Sequence, residues 1–324
     1  MAANRTKPEA RVLINPAGPQ IGAANAILWG RAKQYHVAEF RGPLSIKSVV
    51  RGSGVWGTAE AERVVDSGNY LVLNAGRPYS LTIDAREIVE TFCLFFRLGL
   101  VEDVHRVESC DPVALLDEPF AAEQVQEKSA VVNGCGRLPV EFFETLHGHD
   151  AVVSPLLKRM HQSVRSGTAT QEWLEDQFFG VARAMLRVRE RVERQAARIP
   201  AKKSSTRLEL YRRLLRGKDF LDSFHAEELP LNEVARAACV SPYHFHRLFR
   251  EAFGETPNQY LQRKRLERAR ELLKSTDQGV TEISMDVGFE SSTSFSTLFR
   301  KTFGYSPREY RSLLSRSAQT VEKK

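Results

Sequence analysis

FHRLFREAFGETPNQY, beginning at Phe245, and FSTLFRKTFGYSPREY, beginning at Phe295, are two copies of one phrase. Phe245, Leu248, Phe249, Arg250, Phe253, Gly254, Pro257 and Tyr260 recur as Phe295, Leu298, Phe299, Arg300, Phe303, Gly304, Pro307 and Tyr310, each pair 50 positions apart. Two copies make a tandem duplication; a solenoid needs three or more repeats to bury its faces.

The residues before each copy complete a motif. Leu231, Val234, Ala235 and Ala238 form a short apolar face, with Asn232 as its expected N-cap. Cys239-Val240 reads as a turn, and Ser241 directly before Pro242 is an N-cap followed by proline at the first helical position. The next helix buries Phe245, Leu248, Phe249 and Phe253 and stops at Gly254. Short helix, tight turn and capped helix is the helix-turn-helix pattern. In the second copy Ile283, Ser284 and Val287 lie on the short helix, Gly288-Phe289-Glu290 form the turn, and Ser291 or Ser292 is the cap. The offset is 49 before the turn (Ala235 to Ser284) and 50 after it, so the second turn is one residue longer. A helix from about Arg207 to His225 precedes the pair. An Arg-rich helix from Pro257 to about Lys274 joins its halves; its 18 or so residues span roughly 27 Å, near the ~34 Å between successive major grooves.

With the phenylalanines turned inward, the first helix offers Pro242, Tyr243, His246, Arg247 and Arg250. Arg247 is a bidentate donor suited to guanine O6 and N7, and Arg250, one turn on, suits a phosphate. The second helix offers Ser292, Thr293, Ser296, Thr297 and Arg300, a hydroxyl-rich face with little charge. The first helix is therefore expected to read bases, and the second to lean on phosphate and shape contacts. Charge agrees. The net +7 comes wholly from residues 201–324, with 23 Lys+Arg against 16 Asp+Glu, while residues 1–200 carry 24 of each. A basic surplus confined to one domain points to a polyanion there.

Length implies two domains, and the class is α+β. Residues 1–25 read as a flexible terminus. Short apolar runs from about Ala38 to Arg97, punctuated by Gly52-Ser53-Gly54, Asp66-Ser67-Gly68-Asn69 and Ala75-Gly76-Arg77-Pro78, predict an antiparallel barrel or sandwich. YSLTI (79–83) and ETFCLFF (90–96) read as separate strands, and the domain is placed at 26–150. A helical segment over 151–198 contains Leu174, Phe178, Val181, Met185, Val188 and Val192, spaced 4, 3, 4, 3 and 4. This a/d seam is a candidate dimerisation surface, or packing for the chain's own sheet. Residues 199–206 read as a linker, 207–316 as the duplicated domain and 317–324 as a tail.

The duplicated half resembles the AraC/XylS family of bacterial transcription regulators. The resemblance is carried by Gly288-Phe289, Phe295, Phe299, Arg300, Phe303, Gly304, Ser306-Pro307, Tyr310 and Arg311 over about 207–316. It implies two helix-turn-helix units bridged by a helix, with Arg247 at a base-contacting position. Thr297 stands at the equivalent site of the second helix, where family members often carry Arg. Residues 68–74, 77–79 and 90–93 are similar to the cupin-like sensor domain of such regulators. That implies a small β-barrel followed by dimerisation helices. The implied partners are double-stranded DNA, a small-molecule effector, a second copy of the chain and RNA polymerase. Trp56, Arg77, Tyr79 and Phe95 are candidates to line an effector pocket, against the plainer role of core packing.

Other classes find little support. No run of about eighteen apolar residues suggests a membrane span. Cys93, Cys110, Cys135 and Cys239 are scattered without CxxC, which fits a reducing cytoplasm. Residues 38–97 hold no histidine, so a cupin-type metal enzyme is disfavoured, and no metal or cofactor is expected. His147 and His149 form a metal-capable pair but read better as loop residues. Walker, Rossmann and GxSxG motifs are missing. The remaining alternatives are an effector-responsive regulator, and a regulator whose N-terminal domain is only a scaffold.

Overall fold

The computed structural model describes residues 11–14, 21, 23–109 and 140–321. Cys110, Cys135, Pro112, Pro119 and Pro139 lie outside them. The chain divides into two compact units, Met1–Arg194 and Gln195–Lys324, and is α+β, with a sheet in the first unit and helices alone among the described residues of the second.

The first unit holds β1 (Arg11–Ile14), β2 (Ala26–Arg41), β3 (Ser45–Arg51), β4 (Ser53–Thr58), β5 (Glu62–Asp66), β6 (Asn69–Leu73), β7 (Pro78–Phe95) and β8 (Leu146–Gly148). Its helices are α1 (Leu100–Ser109), α2 (Ser154–Arg165) and α3 (Gln171–Ala196), the last running across the division between the units. β7 is the spine. β2 pairs along its whole length, β4 pairs its first half at Val55↔Thr82, and β3 pairs its second half at Ser45↔Phe95. β6 then pairs β3, and β8 pairs β6.

Several expectations need correcting. The antiparallel strands begin at Ala26 rather than about Ala38, because the outer half of β2 is exposed and polar and hides the alternation. The two runs read as separate strands are one 18-residue strand, β7; β2 pairs it on both sides of residues 85–88, at Asp84 and Val89, across a shift in register. Within the expected flexible terminus, Arg11–Ile14 is a strand, held by parallel pairing to β2. The closed barrel is not formed among the described strands. The sheet path runs from β1 to β8 without joining its ends, and β5 pairs only β4.

β7 alternates between two environments, as a strand's period of two requires. Val89, Cys93 and Phe95 join Trp56, Val65, Leu71, Leu73 and Tyr79 in a core on one face. Phe92 and Phe96 face the helices: Phe92 meets His161 of α2 at 5.2 Å and Phe96 meets Phe178 of α3 at 5.5 Å, both edge to face. Leu174, Phe178, Val181, Met185, Val188 and Val192 are all buried within the single chain. The seam expected to dimerise is therefore occupied by the chain's own packing.

The second unit holds α4 (Ser204–Ser223), α5 (Leu231–Ala237), α6 (Pro242–Phe253), α7 (Pro257–Ser275), α8 (Val280–Asp286), α9 (Ser292–Phe303) and α10 (Pro307–Val321). Pro230, not Asn232, is the N-cap of α5, since the helix already begins at Leu231. The expected tail is helical as far as Val321. α7 packs on α4 and α6 on one side of the duplication and on α8, α9 and α10 on the other. Its C-terminal half supplies Leu266, Ala269 and Leu273 to a core shared with Ile283, Val287, Phe289, Phe295 and Phe299.

Candidate nucleic-acid interface

Each recognition helix is fixed at both ends by its own sequence. Ser241 accepts from the backbone N–H of His244 at 3.4 Å, and Pro242 opens α6. Ser291 accepts from Ser294 in the same way at the start of α9. Both helices end on a glycine in the left-handed region, Gly254 at φ 80° and Gly304 at φ 84°, where a side chain would be strained. The connecting turns occupy 238–241 and 287–291, so the second is the longer by one residue. Each turn places one residue at positive φ, Cys239 at 52° and Gly288 at 89°.

Burial sorts the faces. Phe245, Phe249, Phe295 and Phe299 have no exposed surface. Tyr243, His246, Arg247 and Arg250 are exposed on α6, with Tyr243 at 74%, and Pro242 is half-buried. On α9, Thr293, Thr297 and Arg300 are exposed, whereas Ser292 and Ser296 are half-buried. The Thr297 hydroxyl donates to the Thr293 carbonyl at 3.0 Å, the back-bond that threonine adopts inside helices. The two faces thus differ in more than charge, because a hydroxyl of α9 is already engaged by its own backbone.

The Arg-rich stretch of α7 is largely committed to the fold. Arg263 bonds Glu255 and Glu267, each at 2.8 Å, and Arg270 approaches Glu271 at 3.9 Å. Arg265 donates to the carbonyls of His225 and Glu227, both at 2.7 Å. Two features escape a reading of the sequence. Ser294 is exposed on α9 and is signalled only by its 50-residue offset from His244. The contacts of Arg265 give no local signal, because the carbonyls it reaches lie about 40 residues away.

In the first unit, Trp56, Tyr79 and Phe95 are brought together, but inside the packed core. Arg77 stands apart and exposed, 3.9 Å from Glu60 and 3.7 Å from Glu144. The Lys47 ammonium is buried beside the aromatic pair, donating to the Tyr79 hydroxyl at 2.6 Å and lying 3.8 Å from the Phe95 ring centre. Burial pulls it down to about 7, with a smaller opposing effect from Cys93. A small pocket, open to solvent, lies elsewhere in the unit, between Tyr70 and Val72 of β6, Phe142, and Met185 and Val188 of α3. His147 stacks on Tyr70 at 5.1 Å, while His149 bonds Ser154 and the Ser67 carbonyl, so the two histidines have separate structural partners.

Residues 234–312 match the helix-turn-helix domain family. The transcriptional activator RhaS of Enterobacter sp. (strain 638) is 45% identical over 92 residues, 28% of this chain and 33% of that protein. RhaS of Klebsiella pneumoniae (strain 342) is 42% identical over the same shares. The chain spans about a third of the length of these curated relatives. Among solved structures, a transcriptional regulator with an AraC-type DNA-binding domain from Chromobacterium violaceum is 32% identical. That match covers 31% of this chain and 89% of the other, with a TM-score of 0.30. The DNA-binding domain of AdpA, solved in complex with a target DNA, is 30% identical over 31% of this chain and 90% of its own, also with a TM-score of 0.30. The duplicated domain is thus a helix-turn-helix domain similar to that of the RhaS activators.

Proposed function

We propose that the chain is a sequence-specific transcription regulator that lays α6 and α9 into successive major grooves of one duplex. It would work as an activator with RNA polymerase, the role printed in the names of its RhaS relatives being activation. The carrying observation is the pair of capped helices with fully buried phenylalanines and polar outer faces, on either side of α7. At 19 residues α7 spans about 28 Å, of the order of one turn of DNA. Selection from a random duplex pool tests this. The expected product carries two elements about one helical turn apart, with the element read by α6 the more sharply defined. A pool without enrichment overturns it.

The first unit is assigned an effector-sensing role on the strength of its resemblance, as a cupin-like domain. The tight packing of Trp56, Tyr79 and Phe95 favours a second reading, in which this unit is a scaffold without a ligand. Thermal-shift screening of the full chain against metabolites separates them: a saturable shift supports sensing, and none supports the scaffold. Pairing of two copies would use a surface other than the buried seam of α3, and sedimentation of the full chain measures it.

A further inference from the structure

The turn before the first helix-turn-helix unit approaches the turn within the second. The backbone turn after α4, residues 224–227, leads into the first unit, and its Ala226 carbonyl faces the turn of the second. A methyl group built on Gly288 would lie 2.6 Å from that oxygen, and Gly288 has φ 89°, so only glycine allows this approach. Arg265 fills the remaining corner. Its guanidinium holds the carbonyls of His225 and Glu227, its Cζ lies 6.0 Å from the centre of the Phe289 ring, and the same Cζ would stand 3.0 Å from a Gly288 methyl.

Each side of this joint is stiff. On the first side, Gly217 lets the Phe245 ring lie directly on α4, where a methyl would come within 2.4 Å of it. The Tyr260 hydroxyl ties α7 to Asp222 at 2.7 Å. On the second side, Phe289 belongs to the core that anchors Phe295 and Phe299 of α9. Arg265 bridges these bodies at the Gly288 turn.

We propose that Arg265, clamped on the carbonyls of His225 and Glu227 and seated against Gly288, is the positioning residue that sets the separation and tilt of the two recognition helices. It thereby sets the base-pair spacing the protein accepts. A planar fork with two donors suits this task, since it fixes direction as well as distance; a lysine would satisfy one carbonyl at a time. The inference rests on the two-groove reading of α6 and α9.

The test uses the full chain and the duplex it selects, together with duplexes carrying one base pair more or fewer between the two elements. Wild type is expected to lose tenfold or more in affinity on either change. Arg265→Met is expected to bind the selected duplex within about threefold of wild type and to lose less than threefold on the altered ones. An equal spacing penalty in wild type and the variant, or a wild type indifferent to spacing, overturns the proposal. Arg265→Lys, which keeps the stem and charge, carries the same comparison if the methionine variant does not fold. If the wild-type chain selects no sequence at all, the DNA-binding reading fails instead of the joint.

Discussion

Phe249 meets Tyr260 edge to face at 5.6 Å, and fifty residues later Phe299 meets Tyr310 in the same way at 5.9 Å. The rings match, but the hydroxyls do not. Tyr260 donates to the buried Asp222 at 2.7 Å, whereas Tyr310 is only half-buried. The first unit of the duplication therefore carries a polar anchor under its aromatic cluster, at the place where α4 packs.

That difference sets a measurable asymmetry. Phe249→Ala and Phe299→Ala should each cost about 3–5 kcal/mol, since both rings are fully buried. Tyr260→Phe removes a hydrogen bond to a charged group and should cost about 1.5–3 kcal/mol. Tyr310→Phe should stay within about 0.5 kcal/mol. Urea unfolding followed by helical circular dichroism measures all four, and equal losses for the two tyrosines would refute the asymmetry.

Asp222 makes the same region sensitive to acid. Burial pushes its carboxyl up, but Lys218, Lys264 and the Tyr260 hydroxyl outweigh burial and hold it below its ordinary value. A depressed folded value means that the stabilisation is complete above the unfolded carboxylate range, near pH 4, and is lost as pH falls through the folded value. Asp222→Asn should cost about 3 kcal/mol at pH 7, by leaving two lysines without their carboxylate. The gap to wild type should narrow as pH falls below the ordinary carboxylate range and through the lowered folded value. A gap independent of pH would remove the ion cluster from the explanation.

Lys47 acts in the opposite direction. Its folded value of about 7 lies below the unfolded value of about 10.4. Between these limits the unfolded chain binds more protons, so stability should rise with pH from about 7 to 10. Lys47→Met should stabilise the first unit by about 1–4 kcal/mol at pH 6, the usual gain when buried charge gives way to apolar volume. The gain should shrink toward pH 10. Trp29, Trp56 and Trp173 all lie in that unit, so tryptophan fluorescence follows it alone. A less stable variant at pH 6 would show that the bond to Tyr79 outweighs the desolvation of the ammonium.

The legible parts of this chain are those whose signals are local. Ser241, Pro242 and Gly254 announce the ends of α6 within a dozen residues, and the 49-to-50 offset announces the longer second turn. Long-range partners are not legible. The residues of α3 that look like a dimer seam are spaced as any buried helix face is spaced, and a partner such as Phe96, just past β7 and packed on Phe178, has no signal near them in the sequence. Residues 84–88 lack apolar alternation and so read as a break, and only pairing with β2 on either side of them, at Asp84 and Val89, makes β7 one strand. Lys47 had no sequence signal as a buried cation, because its environment is assembled from β3 and β7.

The difference between the two reading heads gives the last prediction. Arg247 is exposed on α6 and brings a forked donor, whereas Thr297, its counterpart, has its hydroxyl bonded to Thr293. Arg247→Ala should cost about 1–3 kcal/mol on the selected duplex, roughly 5- to 150-fold in affinity, and should relax base preference at one or two positions. Thr297→Ala removes a hydroxyl that already has a partner, so it should change affinity less than about threefold and leave the preference intact. Titrations at one fixed salt concentration are needed, because phosphate contacts make every affinity salt-dependent. If Thr297→Ala proves the more damaging, α9 is the sharper reader, and the charge on α6 serves attraction to DNA more than recognition of its sequence.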